Sequence, residues 1–172
     1  MSYTTVLAIY PGEKVEKIEE LRNAFGSAPY VWNVLCQRYY DTEDGGWIIG
    51  NTLNTLWPRW KDISIPEHQR AVLMMTYDRA YVAKKDYARA TKDIRQFLMD
   101  FPPAPTHVNH WAHIASLFDT DYPYPGIGFH MTSVSENPFR GLWNEEKEAY
   151  DSPDWSQTYD LYNQLDHVSS QA

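Results

Sequence analysis

Tyr3-Thr4-Thr5-Val6-Leu7-Ala8-Ile9-Tyr10 is rich in β-branched and aromatic residues and is closed by Pro11-Gly12. Such a run reads as a well-buried strand. Its backbone N–H and C=O groups need a neighbour to bond with. The other stretch of this kind is Ile127 to Val134, broken by Asn137-Pro138. The two are expected to lie in one sheet.

Between and after them the spacing is mostly helical. Val15, Ile18, Leu21 and Phe25 recur as on a helix that Gly26 stops. Ser27, with Pro29 just inside, opens a second helix through Tyr39 that is apolar nearly all round. Asp41 to Gly46 reads as a loop, Trp47-Ile48-Ile49 as a short strand, and Leu53 to Trp60 as a short helix interrupted near Pro58. Ser64-Ile65-Pro66-Glu67 has capping-box spacing, and the helix it starts is expected to reach about Tyr81. Asp86 caps a helix with Tyr87, Ala90, Ile94, Phe97 and Leu98 inward, ended by Phe101-Pro102-Pro103-Ala104-Pro105. Thr106 caps another, carrying Val108, Trp111, Ala115 and Phe118. Asp154 or Ser156 starts the last, with Tyr159, Tyr162 and Leu165 inward. The order implies an α+β fold: one helix-rich domain over residues 1–172, with a small sheet of two or three strands.

Length suits a single domain that buries enough surface to fold without a disulfide or metal. The lone Cys36 lies in an apolar run, where a buried inert thiol is the simplest reading. No secretory leader or membrane span is legible, so a cytoplasmic protein without membrane contact is expected. The net charge of −8 is uneven: residues 136–172 carry 8 acids and 2 bases. That imbalance argues against a nucleic-acid footprint over the whole protein and for water or a basic partner at the C-terminal part.

Candidate chemistry is sparse. His107, His110 and His113 recur every third residue, but on a straight helix all three cannot ligate one metal. Closing a site would need Asp119, Asp121 or His130, and no metal or cofactor is expected. His130 and Thr132 share a strand face, one half of the paired arrangement used by two-histidine phosphoesterases. The second pair is missing. A small histidine-dependent hydrolase or transferase would use His130, Thr132 and His110. Asp119-Thr120-Asp121 has a spacing seen around Mg²⁺ or Mn²⁺, and Gly126-Ile127-Gly128 lacks the rest of a dinucleotide fingerprint. Lys84, Lys85, Arg89, Lys92 and Arg95 fall on one helical face, which suits a phosphate backbone or an ordinary solvated surface.

The most unusual piece is residues 136–155. There Phe139, Leu142, Trp143, Tyr150 and Trp155 interleave with Glu145, Glu146, Glu148, Asp151 and Asp154. This irregular acidic segment is either a strap pinned to its own domain or a set of anchors for a partner with a basic surface. The second alternative makes the chain a non-catalytic binder, inhibitor or immunity-type factor, with Phe139, Trp143, Glu145, Glu146, Glu148, Tyr150 and Asp151 as contact residues.

Overall fold

A computed structural model describes residues 2–40, 51–131, 137–141 and 143–171, with residues 51–53 at the backbone only. Strand β1 is Tyr3–Tyr10, as its composition implies. The next element is a strand and not the helix expected there: β2, Lys14–Arg22, pairs antiparallel with β1 through a turn at Pro11-Gly12. Glu13 N donates to Tyr10 O at 2.9 Å, and Gly12 takes φ 80, a conformation that proline followed by glycine supplies without strain. A bulge opposite Val6 and Leu7 breaks strict alternation. It lets Ile18 and Leu21 both reach the main core while Val15 packs on the other face. The three-residue spacing thus belongs to a bulged strand.

The remaining strands are β3 (Ala80–Ala83), β4 (Gly126–His130), β5 (Trp143–Asn144), β6 (Ala149–Tyr150) and β7 (Tyr159–Asp160). The α-helices are α1 (Ala28–Tyr40), α2 (Asn51–Leu56), α3 (Glu67–Met75), α4 (Tyr87–Asp100), α5 (Trp111–Asp119) and α6 (Leu161–Ser170). The fold is α+β, but its main sheet has five strands in the order β2-β1-β4-β3-β7, larger than expected. Among the described residues its pairings are antiparallel except for β3 with β7. Short strands at positions 80–83 and 159–160 offer too few residues for a local periodicity, so only pairing reveals them.

The ends of three helices differ from those expected. α3 ends at Met75, six residues short of the expected Tyr81, where the Thr76 hydroxyl donates to Leu73 O and accepts from Trp32 Nε1. Ser64 does not cap it; its backbone N and hydroxyl both donate to Asp62 Oδ1. α5 begins at Trp111, not after Thr106, because Asn109 Oδ1 takes the Trp111 N–H. α6 is capped by Asp160, whose carboxylate accepts from Tyr162 N and Asn163 N. Asp154 instead caps the 3₁₀ helix Trp155–Gln157. The loop and short strand expected over residues 41–49 lie outside the described residues.

The two faces of the sheet are covered differently. Val6, Val82, Ile127 and Phe129 join the main core with the helices, where Trp111, Phe97 and Tyr162 are fully enclosed. Leu7, Ile9 and Tyr81 face the other way, beneath Phe139 and Trp155. A β-carbon on Gly128 would meet Ile9 at 3.1 Å and Phe139 at 3.3 Å. Glycine at 128 leaves bare backbone on which the Phe139 ring can lie.

Candidate functional site

Residues 137–141 and 143–157 close the outer face of the sheet as a strap. Asn137 starts it with a turn in which its Oδ1 accepts from Phe139 N and its carbonyl from Arg140 N. Asp154 N donates to Pro138 O, tying the two ends together. Phe139, only 3% exposed, and half-buried Trp155 are its pegs. Between the pegs the stretch is not wholly irregular, since β5 and β6 pair as a hairpin, Trp143 against Tyr150 and Asn144 against Ala149. Its turn is held by Asn144 Oδ1 accepting from Lys147 N and by Glu148 at φ 48.

The sequence left open whether these aromatics pin or present. They differ in burial. Trp143 is 54% exposed and Tyr150 48%, while Phe139 is buried. The exposed rings meet edge to face at 5.1 Å. Arg140 stacks on Tyr150 at 4.0 Å and donates to its hydroxyl. That geometry packs two aromatic rings against each other and Arg140 in solvent. Glu145, Glu146 and Glu148 are exposed around the turn. Asp151 is bound by Lys147 Nζ at 2.9 Å, and that bond holds its carboxyl below the usual range. Leu142 lies outside the described residues. Arg140 was missed as a site residue, because only the hairpin closure brings it under Tyr150.

A groove of about 580 Å³ runs beneath the hairpin, along the outer face of β1 and β2. Thr5, Leu7, Lys17, His130, Arg140 and Tyr150 contribute to its walls. His130 lies beside Thr5 on β1, and its Nε2 is 3.9 Å from the buried carboxylate of Asp78. Asp78 Oδ1 also accepts from Met131 N at 2.8 Å. No local sequence signal joins Asp78 to His130; their approach depends on β3 and β4 being neighbours.

The other histidines are elsewhere. His113 meets Glu19 at 2.8 Å, and Glu19 pairs with Val6 on the helix-covered side of the sheet. His110 sits at the start of α5 with Nε2 against Asn23 O at 2.9 Å. His107 precedes the helix and is exposed. The three therefore do not form a stripe on one helix, and His113 lies on the opposite face of the sheet from His130. Thr132, the other residue of the enzyme reading, lies outside the described residues. Among the described residues no group of three or more His, Cys, Asp or Glu is placed to hold a metal ion.

The basic face is interleaved with acids from neighbouring elements. Lys84 and Lys85 precede α4 on a 3₁₀ helix, Lys84–Asp86. Lys84 approaches Asp121 at 3.5 Å, Lys85 lies 3.8 Å from Asp160, and Arg95 pairs with Asp119. Arg89 is shared between Glu67 at 2.7 Å and Asp166 at 2.8 Å, and it stacks on Tyr162 at 4.4 Å. Lys92 is exposed. These partners come from α3, α5, α6, β7 and the loop after α5, so the helical wheel of α4 alone could not show them. No helix among the described residues is long and apolar enough to cross a membrane. Comparison with protein-family models, curated proteins and solved structures finds no match.

Proposed function

We propose that this protein is a non-catalytic interaction factor, a small acidic binder of the inhibitor or immunity type. Its Trp143–Tyr150 hairpin docks on a basic surface of a partner protein. The exposed aromatic pair carries this reading. Large rings exposed in the free protein and packed against each other have the makings of interface anchors. Glu145, Glu146 and Glu148 supply the acidic rim, and residues 136–172 hold six of the eight excess negative charges. The separation of His110 and His113, both at α5, from His130 beside Thr5 favours this reading over the hydrolase or transferase. The ion pairs along Lys84, Lys85, Arg89 and Arg95 favour it over nucleic-acid binding.

The test is Trp143→Ala, assayed against a partner isolated on the wild-type protein and then purified. Affinity is expected to fall by about 30-fold or more, near 2 kcal/mol, with thermal stability almost unchanged. Changing Glu145, Glu146 and Glu148 to Gln slows association and leaves dissociation nearly constant, and added salt mimics it. A Trp143→Ala protein that binds normally sinks the proposal.

A further inference from the structure

We propose that the strap is a gate, which lifts from the sheet as one unit while the main core stays folded. Opening it uncovers Leu7, Ile9 and the sheet side of the groove at Thr5 and His130. The strap bonds to itself. Among the described residues, every hydrogen bond and ion pair of residues 137–141 and 143–156 stays within the stretch that ends at Thr158. The tie to the body comes at Gln157, whose Oε1 accepts from Arg79 Nη1 at 2.6 Å. Beyond it Tyr159 N donates to Arg79 O at 3.1 Å, and that corner stays in place as the hinge.

The two limbs of the strap are locked to each other. Asp154 N donates to Pro138 O at 2.9 Å, and Arg140 donates to Tyr150. A β-carbon on Gly141 would collide with the Asp151 carbonyl, so the limbs cross in backbone contact. A loop whose ends are close and whose side chains pack on one another is a compact body. What holds it down is apolar: Phe139 and Trp155 press on Leu7, Ile9, Val15 and Tyr81 in a small cluster separate from the main core. A segment with few buried apolar contacts opens at a lower free energy than the whole fold. Lifting it breaks no ladder of the main sheet, because β5 and β6 pair only with each other among the described residues. The gate stands whether or not the hairpin docks on a partner.

Thiol labelling of the full chain tests it. Cys36, the one cysteine of the sequence, is buried in the main core, where burial pushes its thiol up to about 11. It reacts only when that core opens. A second thiol, introduced as Ile9→Cys, lies beneath Phe139 and reacts when the strap lifts. With iodoacetamide, where reclosure outpaces labelling, the Ile9→Cys thiol is expected to react at least about tenfold faster than Cys36. Low urea accelerates Cys36 steeply and the outer thiol little, since the response scales with the surface exposed. Phe139→Ala speeds the outer thiol by about a hundredfold through loss of one peg. Ile114→Val, in the main core, speeds Cys36 by roughly threefold to tenfold. It leaves the outer thiol unchanged, because the closed and lifted forms share that core. Leu7→Cys, buried on the same face, repeats the measurement should Ile9→Cys fold poorly. Equal rates for the two thiols, or an Ile114→Val effect on both, overturns the gate.

Discussion

Asp93 is a residue whose charge state couples stability to pH. It is buried on α4, where its Oδ2 accepts from the Tyr162 hydroxyl at 2.8 Å. Burial, opposed by that bond, raises its carboxyl above the ordinary aspartate value. A carboxyl with a folded pKa above its unfolded one binds its proton more tightly when folded. Its contribution therefore favours the fold at low pH and is lost as pH rises through the unfolded and then the folded value. Asp93→Asn keeps an oxygen to accept from Tyr162 and removes the buried charge. The variant is expected to melt higher than wild type at neutral pH, with the gain vanishing near pH 3. A gain that grows on acidification contradicts this account. Phe139, by contrast, answers to packing. Phe139→Ala removes the ring lying over Gly128 and Ile9, and a loss of about 3 kcal/mol in denaturant unfolding is expected. Trp143→Ala, further along the strap and in solvent, changes stability little. The contrast between these two aromatics is one that alternation of aromatics and acids in the sequence could not supply.

Elements are held to one another here by side chains from distant parts of the chain. Arg89 on α4 clasps Glu67 at the start of α3 and Asp166 on α6. Arg89→Glu would place three carboxylates together beside the Tyr162 ring. A loss of about 1–3 kcal/mol is expected, read as an earlier urea midpoint, and Asp166→Arg in the same chain should restore part of it. The same reversal at Lys92, which is exposed, is expected to stay within about 0.5 kcal/mol. Helix α4 itself was legible in advance, since Tyr87, Ala90, Ile94 and Phe97 keep the 3.6-residue period and the prolines after Phe101 stop it. The bulged strand β2 was not, because a bulge lets its apolar residues recur every third position, as they would on a helix.

Across the whole molecule, protection from hydrogen exchange should track the strand order. β4 lies between β1 and β3, and its amides from Ile127 to Phe129 are expected among the slowest. Among the described residues β2 has a partner on one side only, so its outward-pointing amides should exchange far faster. Slow exchange along that outer edge would mean a second chain covers it. The helices with long, clean periodicity, the two best strands and their meeting in one sheet could be read from the residues alone, because these depend on neighbours in the chain or on large apolar burial. Residues 136–155 also stood out in advance, since composition is local. That β2 is a strand and that β3 and β7 exist emerged with the packed fold, because a strand is defined by a neighbour supplied from elsewhere. Packing likewise separated buried Phe139 from exposed Trp143 and Tyr150, and His130 from the other histidines. Exposure and proximity belong to the surroundings of a residue, and no stretch of sequence contains its own surroundings.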